Sequence, residues 1–353
     1  MGSIHGGDIY RNKVQFDFSV NVNPLGIPEE VEDALKKAIK QCHIYPDIQH
    51  LELKEAVAKQ FAVPKEYLVF GNGASEIFMG IMHAIRPRTI LIPVPSFYGY
   101  EYAAEAVESK IKYLPLKSET SFVPGEELLE ALTEEINLLF LTNPNNPTGK
   151  RLEKQYLEQV LMICKEKNIY VVLDECFIPF CEKGASFVTE LETYPNLLLV
   201  QAFTKIYAIP GVRLGFLMSA NKVLIQKIGT QLPEWNLSIF AQKAGIACIN
   251  QQDYIEKTVA YVKKERDFLM DGLEKLGILT FSGEGNFILL YTELPFYDWL
   301  LEKGILIRDC KNFRGLAKGY YRIAVKTREE NEILLKEIGE CIASNRAFIT
   351  GRN

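Results

Sequence analysis

Lys205 is the residue of this sequence with the most chemistry to explain. It lies in Gln201-Ala202-Phe203-Thr204-Lys205-Ile206-Tyr207-Ala208-Ile209-Pro210-Gly211, an otherwise apolar run. Desolvation there lowers the pKa of an amine and favours the neutral nucleophile that condenses with carbonyl groups. Eight residues on, Arg213 follows a Pro-Gly turn that can return its guanidinium to the same place as a fork for a phosphate. Asp174 closes the run Ile169-Tyr170-Val171-Val172-Leu173. A carboxylate at the end of a buried strand is costly unless a cation or a proton meets it. A protonated heterocycle nitrogen would be a suitable partner.

Two further loops carry unusual composition. Phe70-Gly71-Asn72-Gly73-Ala74-Ser75-Glu76 opens a helix, and its small residues let backbone N–H groups approach an anion at the positive helix end. Thr142-Asn143-Pro144-Asn145-Asn146-Pro147-Thr148-Gly149 contains two Asn-Pro steps, which restrict the backbone and fix an amide side chain in place. Taken singly, each loop has an ordinary reading: a glycine turn with Ser75 as helix cap, an Asn-Pro turn, a structural salt bridge at Asp174. A snorkelling lysine and a surface arginine fit the apolar 201–216 segment poorly.

Such residues need strands that end at a common rim. From about 51 to 235, short β-rich runs (67–70, 89–93, 111–115, 138–142, 169–173, 197–201, 212–218) alternate with helical stretches such as 153–167. The alternation predicts a mainly parallel sheet between helices, with ligands at the carboxyl ends of the strands. The first 28 residues read as extended, followed by a helix over 29–42. Beyond 236 the pattern becomes one long amphipathic helical stretch to 276, strands near 278–281, 286–291, 305–308 and 320–325, and a helix from Arg328. The expected architecture is therefore α/β: a large domain (46–240) around a seven-stranded sheet, and a small α+β domain (241–353) joined by the N-terminal segment (1–45).

Composition narrows the class. The 353 residues carry a net charge of −5 with both signs mixed along the chain, which predicts neither a nucleic-acid nor a membrane surface. Seven cysteines without a CxxC pair read as reduced thiols. Four histidines (His5, His43, His50, His83) without HExxH spacing predict no metal site. The start of the chain lacks the pattern of a signal peptide, and a cytoplasmic enzyme is expected.

Taken in chain order, the four loops at 70–76, 142–149, 174–177 and 201–216 resemble the fold-type I pyridoxal 5′-phosphate (PLP) enzymes, the aspartate aminotransferase superfamily. That resemblance implies that Lys205 carries PLP as a Schiff base and that Asp174 pairs with the pyridine nitrogen. It also implies that Asn146 bonds the ring hydroxyl and that Phe97, in Pro95-Ser96-Phe97-Tyr98, stacks on the ring. Gly73, Ala74, Ser75, Thr204 and Arg213 would hold the PLP phosphate. Tyr45, in His43-Ile44-Tyr45-Pro46-Asp47, resembles the tyrosine that reaches this phosphate from a neighbouring subunit, which implies a homodimer with shared active sites.

Within the superfamily the chain is most similar to the threonine-phosphate decarboxylases of cobalamin synthesis, and next to histidinol-phosphate aminotransferases. The marks are His5-Gly6-Gly7-Asp8, Asp17-Phe18-Ser19-Val20-Asn21-Val22-Asn23-Pro24-Leu25-Gly26, Ile307-Arg308-Asp309-Cys310-Lys311-Asn312-Phe313 and Tyr320-Tyr321-Arg322. Phe177 stands where aminotransferases usually have tyrosine. Ala202 replaces a common serine, which removes one hydrogen bond to the phosphate, worth on the order of 1 kcal/mol. The resemblance implies that Arg322 grips a substrate carboxylate, that Arg308, His5 and Gly6 bind a substrate phosphate, and that Asn21 lines the site. The implied reaction is decarboxylation of a phosphorylated amino acid, with transamination as the alternative.

Overall fold

The apolar runs of the first two-thirds of the chain form strands buried on both faces, except the half-buried edge strand Lys110–Pro115. The computed structural model describes residues 5–182 and 185–350. Its main sheet has seven strands, in the order Leu68–Gly71, Gly215–Met218, Leu197–Ala202, Tyr170–Asp174, Leu138–Thr142, Thr89–Val94 and Lys110–Pro115. Six run the same way. Gly215–Met218 runs antiparallel to both of its neighbours, Leu68–Gly71 and Leu197–Ala202.

Period-two alternation divides each strand between two apolar layers. Leu139, Leu141, Val171, Leu173, Leu197 and Leu199 face one layer, while Leu138, Phe140, Val172, Leu198 and Val200 face the other. All but Leu141 have no exposed surface, so each contributes about 1.5–3 kcal/mol relative to a solvated side chain. The helix Ala74–Ile85 covers the second layer with Ile77, Phe78, Ile81 and Met82.

The last third of the chain builds a four-stranded antiparallel sheet in the order Arg308–Asp309, Tyr320–Ala324, Phe287–Tyr291 and Leu279–Phe281. The N-terminal segment is part of this unit. Phe16–Asp17 pairs in parallel with Ile305–Leu306, and the Phe18 C=O accepts from the Ala324 N–H at 2.8 Å. The expected α/β architecture, with its second unit drawn from both ends of the chain, is the one observed. Local boundaries differ. The helical stretch 236–276 is two helices, Ile239–Ile249 and Gln252–Lys275, broken at Asn250-Gln251. The run 305–308 splits into two short strands because Ile305–Leu306 pairs with Phe16–Asp17 while Arg308–Asp309 pairs with Tyr320–Ala324. Among the described residues no helix is long and apolar enough to cross a membrane.

Candidate active site

The carboxyl ends of the parallel strands and the antiparallel sheet together enclose a cavity of about 250 Å³. Lys205 sits on the single helical turn Phe203–Ile206 that directly follows the strand Leu197–Ala202. Its side chain opens onto the cavity, so some of its surface is exposed, yet protein surrounds it on every other side. Desolvation, followed by the charge of Arg322, brings its pKa down to about 8.

Asp174, at the end of the neighbouring strand, is buried. Its Oδ2 accepts from the Tyr100 hydroxyl at 2.6 Å and its Oδ1 from the Cys176 N–H at 2.9 Å. Burial pushes its pKa up, against the pull of these donors. Neither donor is a cation, so a buried acid waits here without a counter-charge in hydrogen-bond contact among the described residues.

The loop before the helix Ala74–Ile85 forms a cup. Gly73 is its N-cap at φ 81°, ψ 167°, and Ala74 and Ser75 face the cavity at the positive end of a twelve-residue helix. Arg213 closes the cup from above. Among the described residues its Nη1 and Nη2 make long contacts to the Pro210 and Asn72 carbonyls, at 3.3 and 3.5 Å. Gly73 is needed for this approach, because a Cβ there would lie 2.3 Å from Arg213 Nη2. Thr204 borders the same space.

Asn146 is buried at the cavity wall, on a loop that side-chain amides pin at both ends. Asn143 Oδ1 accepts from the Leu152 N–H at 2.8 Å, and Asn145 Nδ2 donates to the Pro95 carbonyl at 3.0 Å. Asn146 Oδ1 in turn accepts from Arg322 Nη1. Phe97 and Phe177 complete the wall, with Phe97 packed edge-on against Tyr100.

The far side of the cavity is cationic. Arg308 and Arg322 are direct cross-strand partners in the antiparallel sheet, and both are buried. Arg322 Nη2 donates to the Ser19 carbonyl at 2.8 Å, while its Nε is buried without an acceptor among the described residues. Burial lowers its pKa to about 10, so it stays charged at neutral pH. Arg308 donates to the Asp309 carbonyl at 2.6 Å and to Asn312 Oδ1 at 2.7 Å, and lies over the Phe313 ring. Asn21 Oδ1 is likewise buried with no donor among the described residues. The His5 ring stands at the mouth, 5.9 Å from the Phe97 ring. Partial burial, then Arg308, Arg322 and Lys205, hold its imidazole below the usual pKa.

Thirteen of the expected site residues thus border one cavity: His5, Gly6, Asn21, Ala74, Ser75, Phe97, Asn146, Asp174, Thr204, Lys205, Arg213, Arg308 and Arg322. Gly73 lies just behind its wall, beneath Arg213. Tyr45 is not brought there; it is 80% exposed and its ring lies 5.1 Å from that of Trp235, tilted by 43°. Sequence reasoning missed Tyr100, whose hydroxyl meets Asp174, and quoted Asn312, which accepts from Arg308, only within a motif and without a role. It quoted Ser19 only within a motif and gave it no role. Tyr100 follows the Pro95–Tyr98 loop, but nothing in its helical surroundings sets it apart from an ordinary core tyrosine.

The donor set fits PLP on its chemistry. A desolvated amine suits an aldehyde, a buried carboxylate without a counter-charge suits a protonated ring nitrogen, and a helix end with a guanidinium suits a phosphate.

Comparison with known proteins agrees. The family model for class I and II aminotransferases matches residues 13–338. Threonine-phosphate decarboxylase of Salmonella typhimurium is 33% identical over 345 residues, covering 94% of this chain and 95% of its own. Histidinol-phosphate aminotransferase of Methanocaldococcus jannaschii is 29% identical, covering 92% of this chain and 88% of its own. The crystal structure of the histidinol-phosphate aminotransferase from Clostridium acetobutylicum superposes with a TM-score of 0.88 at 32% identity, over 93% of this chain and 99% of that one. On these grounds the chain belongs to the class I and II aminotransferases, PLP-dependent enzymes of fold type I.

Proposed function

We propose that this enzyme decarboxylates a phosphorylated amino acid, O-phosphothreonine or a close analogue such as O-phosphoserine, to CO2 and an amino-alcohol phosphate. The observation that carries this reading is the buried cross-strand pair of Arg308 and Arg322 at a single cavity. Like charges placed opposite one another in a sheet repel. A ligand with two anionic ends, a carboxylate and a phosphate, turns that repulsion into attraction.

Bound at Lys205, PLP supplies a sink for the electron pair left on the α-carbon when a bond there breaks. The protein does the rest. Asp174 keeps a proton on the ring nitrogen, and its bonds from Tyr100 and Cys176 fix the direction of its carboxylate. Arg322 takes the substrate carboxylate through Nε. Arg308, with His5 and the Gly6 backbone, takes the phosphate, and Asn21 and Asn146 border the substrate between them. Lys205 Nζ, with a pKa near 8, can hold and return the proton that replaces CO2 on the α-carbon.

Phe177 borders the site without a hydroxyl where aminotransferases usually carry tyrosine, which favours decarboxylation. The match to the Clostridium structure favours a second reading, amine transfer of the histidinol-phosphate type. The deciding experiment is CO2 release from O-phosphothreonine with no keto acid present, beside keto-acid-dependent amine transfer. Transfer without CO2 release rejects the decarboxylase. We also propose a homodimer: Ile44, Tyr45, Ile48, Leu51 and Trp235 are exposed, and a second copy covering them would receive Tyr45 at its PLP phosphate.

A further inference from the structure

Ser19 is almost fully buried, at 1% exposure, yet it lies only twelve residues beyond the Gly6-Gly7 step at the cavity mouth. Its hydroxyl donates to Asp17 Oδ1 at 2.6 Å and accepts the Gly7 N–H at 2.7 Å. Its own N–H donates to the same Asp17 oxygen at 2.8 Å. Its carbonyl accepts from Arg322 Nη2 at 2.8 Å.

Gly6 packs against that same carbonyl. A Cβ at position 6 would lie 2.3 Å from the Ser19 oxygen and 2.9 Å from its carbon. These are backbone atoms, next to a Phe18 carbonyl tied to the Ala324 N–H two residues past Arg322, so no rotamer change can make room for a side chain at position 6. Gly7 takes φ +84°, a conformation other residues adopt only with strain. One carbonyl is therefore touched from one side by the N-terminal strap and from the other by the carboxylate-binding arginine.

We propose that Ser19 is a positioning residue that couples the N-terminal strap to Arg322. When the strap seats on Ser19, it fixes the carbonyl that aims Arg322 and brings His5 to the mouth in the same movement. Recognition of the two ends of the substrate is then linked: a phosphate that holds the strap down improves the grip on the carboxylate. This rests on the substrate reading given above. The linkage is a coupling free energy between two ends of one site, so it works in both directions.

Two variants test it. Ser19→Ala deletes the hydroxyl and keeps the carbonyl, and Gly6→Ala pushes the strap off the carbonyl. Both should retain PLP and its absorbance, which shows that they fold. Hydrogen exchange in the peptide spanning residues 5–12 should quicken in both, and inorganic phosphate should slow it in the unaltered enzyme. With O-phosphothreonine, KM should rise roughly fivefold in Ser19→Ala, the factor carried by one lost hydrogen bond, and further in Gly6→Ala, while kcat changes less. Unaltered strap exchange in both variants overturns the latch. Faster exchange with an unchanged KM overturns its coupling to Arg322. Faster exchange in an enzyme that turns over no phosphorylated amino acid rejects the substrate reading and leaves the latch standing.

Discussion

Gly73→Ala isolates the contribution of the cup to cofactor binding. At φ 81° and ψ 167° the backbone occupies a region reserved almost entirely for glycine, so a Cβ costs about 1–3 kcal/mol of strain. That strain is borne with or without PLP and appears as a lower urea midpoint of the apoprotein. The second effect is local to the cup. The new Cβ would lie 2.3 Å from Arg213 Nη2 and 2.9 Å from its Cζ, and the flexible guanidinium yields by swinging away. Each charged hydrogen bond lost to the PLP phosphate is worth about 1.5–3 kcal/mol. At about 1.4 kcal/mol per factor of ten, PLP affinity falls roughly 10- to 150-fold. Titration of the apoprotein with PLP, followed by absorbance, measures the dissociation constant directly. A Gly73→Ala protein that binds PLP as tightly as the unaltered one would refute the placement of Arg213 as the phosphate fork.

Further outcomes follow from the same geometry. Borohydride reduction of the holoenzyme should fix PLP at Lys205 alone, as read by peptide mass, and Lys205→Ala should fix none. Because burial lowers the pKa of Lys205 to about 8, the apoprotein should condense with PLP faster as pH rises through 8 and then level off. The sign for stability is the same: the charged amine disfavours the folded apoprotein below pH 8, and that penalty fades between about 8 and the ordinary lysine value. Arg308→Met should raise KM for O-phosphothreonine roughly 100-fold, the loss of one bidentate contact, with PLP binding unchanged in the same titration. Burial also raises the pKa of Glu175 to about 7, although its carboxylate accepts from Ser186, Phe187 and Gln201. An acid whose pKa rises on folding withdraws stability as pH climbs from its ordinary value toward 7. Thermal melts of Glu175→Gln should therefore lose that pH dependence.

Much of the site was legible because its residues close apolar runs. Asp174 and Ala202 end strands whose every inner residue is buried, so the runs pointed to the rim that borders the cavity. Lys205 stood out as the one charge in such a run. Contacts that join distant segments left no such trace. Tyr100 meets Asp174 across 74 residues and Ser19 meets Arg322 across 303, and neither residue breaks its local pattern. Boundaries failed where tertiary pairing overrode periodicity. The strand expected from Val212 begins at Gly215, since Arg213 adopts φ 62° to reach the cup. Tyr45, extended into solvent, was placed by resemblance alone.

The reversed strand Gly215–Met218 has a consequence for how the site tolerates change. Because it travels against its neighbours, the chain leaves one strand at the rim, supplies Lys205, stays at that rim, and supplies Arg213 before descending again. Seven intervening residues thus act as a ruler between Lys205, the proposed covalent anchor, and Arg213, the proposed anion clamp, whose separation would have to match the span from an aldehyde to a phosphate on one small ring. Volume-conserving substitutions within 206–212 keep this spacing. A single inserted or deleted residue does not, and so puts the two ends of one cofactor out of step.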